Sequence, residues 1–139
     1  MRFMILVRAD SNTEAGRFPE ESVKQKLFAD MARYHEALKK AGALLDGAGL
    51  KPSAAGWRVK HSAGRQSVID GPFAETHELI AGYTLIEVKS REEALEWSRR
   101  YPCPAGEGGA AVIEVRPLYE LDDFGPIEAI ERFREMERQ

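Results

Sequence analysis

The chain has 139 residues, of which 43% are hydrophobic and 31% charged, enough for one domain with a modest core and unlike a disordered chain. Its 20 basic and 23 acidic residues are interspersed and leave a formal net charge of −3, so no basic run marks a nucleic-acid footprint. A single cysteine, Cys103, excludes an intrachain disulfide.

In chain order, Arg2 to Arg8 is an apolar run that predicts a strand buried on both faces or nearly so. It is too short for a membrane span and lacks a signal cleavage site, so a cytoplasmic location is expected. Residues 9–18 read as a polar loop. Pro19, Glu20 and Glu21 suit a first helical turn, and Val23, Leu27, Met31, Tyr34, Leu38 and Ala41 form an apolar stripe that predicts a helix over about 19–41. Gly42 ends it, and Ala43 to Asp46 starts a second strand. After a glycine-rich connection over 47–56, Trp57–Lys60 and Gln66–Asp70 flank a turn at Ser62–Arg65 and predict a β-hairpin over 56–70.

Gly71-Pro72 breaks that strand. Ile80–Val88 reads as a long central strand, and Ser90 with Glu93 forms a capping box for a helix over about 91–100 that buries Ala94, Leu95 and Trp97. Pro102 stops it, and residues 111–118 read as the last core strand. Beyond residue 120 lies a separate extension, 121–139, in which Ile127, Ile130, Phe133 and Met136 predict an amphipathic helix after Pro126.

Strand, helix, strand, hairpin, strand, helix, strand is the order of an α+β protein. Two βαβ halves with both helices on one face of an antiparallel sheet make a ferredoxin-like α/β sandwich with an inserted hairpin over residues 1–120. The face left bare calls for a homodimer that pairs two sheets, the dimeric α+β barrel arrangement, with the hairpin and terminal helix as extra contact elements.

Chemistry-bearing residues gather in one segment. Asp70, Glu75, His77 and Glu78 lie within nine residues, around Asp70-Gly71-Pro72-Phe73. One reading is a hairpin exit whose Asp caps its own turn. The other takes Asp70 as a catalytic proton acceptor assisted by His77 or Glu75, since a carboxylate beside an imidazole can move protons. His35 beside the first helix's stripe, Asp46 at the end of the second strand, and Arg8 and Arg116 at core-strand ends are the ligand-binding candidates. His61 is expected at an exposed hairpin tip, and Cys103, between two prolines, as a small residue in a tight connection. No recognised metal-ligand spacing, phosphate loop or dinucleotide fingerprint is present, so no metal or cofactor is expected.

The run Asp70-Gly71-Pro72-Phe73-Ala74-Glu75-Thr76 resembles the signature of the YCII-related, or DGPF-domain, family. Met4–Val7, Ala41-Gly42 leading to Gly47 and Leu50, Gly82-Tyr83, Glu93–Trp97 and Glu114–Pro117 add to the resemblance, which spans roughly residues 1–118. It implies a ferredoxin-like fold and dimerisation. Some members are thought to use a His–Asp pair, and one dehydrochlorinates a chlorinated hydroxyquinone. Here the pair's positions hold Asp30 or Met31 and Tyr101-Pro102, and His77 stands where a Lys is usual. Two functions follow as expectations: a protein or enzyme handling a small organic ligand, aromatic ones included, by acid–base chemistry, or a non-catalytic dimeric module with a regulatory role, since members are often encoded beside alternative sigma factors.

Overall fold

A computed structural model describes residues Met1–Gln139. Strand β1 (Arg2–Arg8) leads through a single helical turn, α1 (Ser11–Glu14), into the long helix α2 (Glu21–Lys40) and the edge strand β2 (Leu44–Gly49). The hairpin β3 (Trp57–Ser62) and β4 (Arg65–Asp70) follows, then β5 (Ile80–Glu87), α3 (Arg91–Arg99), β6 (Ile113–Pro117) and the terminal helix α4 (Ile130–Arg138).

The main sheet has the order β2-β5-β1-β6, and every neighbouring pair is antiparallel. Strands β1 and β2 both oppose β5, so they run parallel to each other and α2 joins them. By the same logic α3 joins the parallel pair β5 and β6. Both helices lie on one face. There Phe3, Ile5, Ile86 and Val88 pack with Tyr34 and Leu38 of α2 and Ala94 and Trp97 of α3. The Tyr34 hydroxyl donates to the Trp97 carbonyl at 2.8 Å, tying helix to helix. This is an α+β architecture, as the element order requires.

Neither crossover helix covers the opposite sheet face, which α4 approaches only at its border, where Glu137 lies 3.8 Å from Arg2. Because side chains alternate along a strand, Phe3 and Ile5 are buried while Met4 and Leu6 are only partly covered. Strand β1, expected to be buried on both faces or nearly so, is thus buried on the helix face and partly covered on the other. Arg8 with Glu114 (2.8 Å) and Arg2 with Glu120 (3.0 Å) border this bare face.

The hairpin stands apart as a two-stranded sheet. Ala63 (φ 50°) and Gly64 (φ 77°) form its two-residue turn, both in the left-handed region that such turns require. Val59 opposes Val68, and every residue of both strands is exposed. Its base is pinned by the segment that follows. The Gly71 amide donates to the Gly56 carbonyl at 3.0 Å, the Phe73 amide to the Ser53 hydroxyl at 3.1 Å, and the Arg58 guanidinium lies 3.7 Å over the Phe73 ring.

Several boundaries differ from the sequence reading, each for a local reason. Ser11–Glu14 is helical rather than looped because Asp10 and Thr13 cap each other reciprocally, both bonds at 2.8 Å. Helix α2 begins at Glu21, since Glu20 is still extended with ψ 154°. Strand β2 runs through the glycines to residue 49 because β5 pairs with it, Gly47 opposite Thr84 and Gly49 opposite Gly82; pairing overrides weak strand propensity. Ser90 caps α3 as expected, at 3.1 Å to the Glu93 amide, but the Glu93 carboxylate reaches back to Lys89 rather than Ser90. Leu95 is about half exposed, not buried. The terminal helix starts at Ile130, which is buried, while Ile127, Phe133 and Met136 are exposed.

Candidate functional site

Three glycines shape a cavity where α2 crosses the edge of the sheet. Gly47 and Gly49 of β2 and Gly82 of β5 put no side chain on the helix-facing side, so strand backbone forms the floor. A Cβ on Gly47 would stand 3.6 Å from His35 Nε2 and 3.7 Å from Thr84 Oγ1. The missing methyl therefore opens directly onto those two groups. Leu27, Phe28, Met31 and His35 of α2 form one wall, Phe18 and Pro19 the approach, and Tyr101 and Pro104 the far side. The volume is about 790 Å³, within the range of small-molecule sites.

His35 is held by bonds at both ring nitrogens. Nδ1 lies 2.7 Å from the Met31 carbonyl one turn earlier, and a carbonyl only accepts, so Nδ1 carries the proton. In the neutral imidazole Nε2 is then an acceptor, and it receives the Thr84 hydroxyl at 2.9 Å. Thr84 is 1% exposed, the most deeply buried polar side chain of the fold. Tyr101 stands edge-on to the His35 ring with centroids 6.3 Å apart. Burial raises the Tyr101 phenol pKa, and the neighbouring Thr84 hydroxyl offsets part of that. The tautomer is fixed, and a basic nitrogen and two hydroxyl groups converge on one apolar cavity. This arrangement can accept or return a proton at a ligand hydroxyl or an acidified carbon.

A second hollow of about 480 Å³ lies between the hairpin base and the Ser53 turn. Of its two carboxylates, Glu14 accepts from both the amide and the hydroxyl of Ser53, and Glu78 is exposed at the edge. It holds no imidazole.

Of the candidates from the signature, Asp70 closes β4 opposite Trp57, Glu75 precedes a 3-10 turn and His77 lies within it. All three side chains are exposed, none makes a side-chain hydrogen bond, and none lines either cavity. Nowhere do three or more His, Cys, Asp or Glu side chains gather as metal ligands. His35 does line the larger cavity. Asp46 faces the other side of the sheet, where Oδ2 accepts the Tyr83 hydroxyl at 2.9 Å and thereby raises that phenol's pKa. Arg8 and Arg116 both turn to Glu114, at 2.8 and 3.7 Å, on the sheet face opposite His35. Thr84 and Tyr101 escaped the sequence reading. Neither belongs to a motif, and both meet His35 only through the pairing of β2 with β5 and the return of the chain after α3.

No helix is long and apolar enough to cross a membrane. A sequence-family model described as the YCII-related domain matches residues 1–121. An uncharacterized protein, R00369, of Rhizobium meliloti (strain 1021) is 34% identical over 118 residues, which are 85% of this chain and 92% of that protein.

Proposed function

The chain belongs to the YCII-related family, and from that premise we propose that it binds a small organic ligand in the cavity between α2, β2 and β5, with His35 as the proton-handling group. The observation that carries this reading is the fixed His35 ring, whose Nε2 meets the buried Thr84 hydroxyl at the floor of an apolar hollow of about 790 Å³. A buried hydroxyl and an oriented imidazole cost desolvation and rotamer freedom, a cost characteristic of functional cavities. The signature residues Asp70, Glu75 and His77 enter this reading as the outer rim of the hairpin base rather than as the reacting groups.

The test uses the chain's three histidines as reporters, His35, His61 and His77. Aromatic fragments titrated into carbon-labelled protein are expected to shift the His35 ring resonance together with the amides of residues 47–49, leaving His61 and His77 in place. Fragments that move only His77, or that move no histidine, refute the assignment and return attention to the signature.

We read the sheet order β2-β5-β1-β6, with its two interleaved crossovers, as a ferredoxin-like sandwich of the dimeric barrel type. A homodimer is supported by the bare sheet face bearing Met4, Leu6, Tyr83 and Leu85 and by a hairpin exposed on both sides. A second reading, a non-catalytic regulatory module that meets a sigma factor or another protein, has its own observation. Ile127, Phe133 and Met136 line α4 and its approach and are uncovered in the single chain.

A further inference from the structure

The sign of the charge at the cavity goes further than its shape. Of 22 residues lining it, Arg17 and Lys51 are cations and none is an aspartate or glutamate, although acids outnumber bases in the chain 23 to 20. Neither cation forms an ion pair, so neither charge is neutralised by a carboxylate of the chain. The walls are mainly apolar, and the floor is bare strand backbone at Gly47, Gly49 and Gly82. Leu27, Phe28 and Met31 face this floor, and Phe18 and Phe28 remain 65% and 55% exposed, with the Lys24 ammonium 4.3 Å over the Phe18 ring.

We infer that the ligand of this cavity is an organic anion with a planar apolar body, an aromatic carboxylate or an acid of similar shape; the inference rests on the binding reading above. Arg17 and Lys51 are exposed and Thr84 is buried, so the anionic group stays at the mouth and the body points inward to His35. At the mouth the acid keeps part of its hydration while gaining two opposite charges. Inside, the body replaces water over apolar walls, and any hydroxyl it carries meets His35 Nε2 and Thr84. A cationic ligand would meet repulsion at the same place.

The experiment titrates the full chain with three probes of one shape, 2-naphthoate, naphthalene-2-methanol and 2-naphthylmethylammonium, following the amides of residues 47–49 and the naphthalene fluorescence. Naphthoate is expected to bind about tenfold or more tighter than the alcohol, the ammonium most weakly, and added salt to shrink the gap. The double variant Arg17→Ala/Lys51→Ala, altered only at exposed positions, is expected to bind naphthoate no better than the alcohol and to bind the alcohol as the parent does. Equal binding of acid and alcohol, a preference for the ammonium, or a double variant that keeps the acid's advantage overturns the anion inference while the cavity reading stands. If none of the three probes binds, the cavity reading falls and the inference with it.

Discussion

Gly71 stands where no side chain fits. A Cβ there would overlap the Ser53 carbonyl oxygen and sit 2.6 Å from its carbon, and both are backbone atoms that cannot swing aside. Gly71→Ala is therefore expected to destabilise the chain by about 1–3 kcal/mol or more, the range for forced overpacking. Gly49→Ala, at a position with nothing within 4 Å, is expected to stay within about 0.5 kcal/mol. Urea unfolding of the two variants checks both, and equal midpoints would show that the hairpin base is not pinned there. This contact gives the Asp-Gly-Pro-Phe segment a physical meaning that sequence alone did not carry. The run was legible as a turn and as a family resemblance. Its glycine is needed for a backbone approach made by Ser53, and its Phe73 for the stack under Arg58. His35 was legible as a residue flanking an apolar stripe. Its partner Thr84 was not, because a threonine inside a strand has no signal beyond strand propensity.

Helices α2 and α3 meet through an aromatic cluster, and the helix pair depends on one phenol. Tyr34 is edge-on to Trp97 and Tyr101, with centroids 6.0 and 5.0 Å away, and its hydroxyl is spent on the Trp97 carbonyl. Burial raises the Tyr34 pKa above its ordinary value of 10.0. Below about pH 10 the phenol is neutral in both the folded and the unfolded chain, and its contribution is complete. Above that, the unfolded chain ionises first, and this part of the stability is lost as pH rises towards the folded-state value. Tyr34→Phe is expected to cost about 1 kcal/mol at pH 7, and its deficit to shrink as pH climbs above 10. Denaturant midpoints at pH 7, 9 and 10.5 test this, and a deficit that grows with pH would contradict it. At this scale most of the fold was readable. The periodicity of α2, the Ser90 cap of α3 and the hairpin turn all act over neighbours in sequence. The four-residue α1 is too short to show a period, and the second half of β2 exists only because β5 pairs with it.

The whole molecule exposes 10285 Å², while a folded monomer of 15.6 kDa is expected to expose about 7,200 Å². Only 14 of 139 residues are buried, all but a few of them between the helices and one sheet face. The excess of roughly 3,000 Å² resides in extended parts: the hairpin, the bare sheet face and α4. An isolated two-stranded hairpin is marginal in water, so contacts beyond its own two strands must hold this one. Size-exclusion chromatography with light scattering is expected to give twice the 15.6 kDa chain mass at micromolar concentration. Leu85→Glu, on the bare face, is expected to give the monomer with its far-ultraviolet dichroism retained. A parent chain that is monomeric at every concentration would refute the dimer. The need for a cover over one sheet face was legible from counting two helices against a four-stranded sheet. Which residues form that face was legible only once the register of β1 against β5 was known.

The glycine floor beneath His35 has a consequence for descent. Where a pocket is walled by side chains, a new specificity means exchanging one group for another and repacking around it. Here the space comes from three absences, at Gly47, Gly49 and Gly82, two of them on an edge strand that only β5 has to tolerate. Single-nucleotide drift to alanine or serine would trim the hollow one small group at a time while the histidine stays: at Gly49 a methyl meets nothing within 4 Å, at Gly47 it would touch His35 Nε2 at 3.6 Å, and at Gly82 it would press on the Ala48 carbonyl at 3.1 Å. Relatives that share this backbone and this histidine can thus part company over which molecules they admit, with the divergence written in residues that a search for catalytic groups passes over.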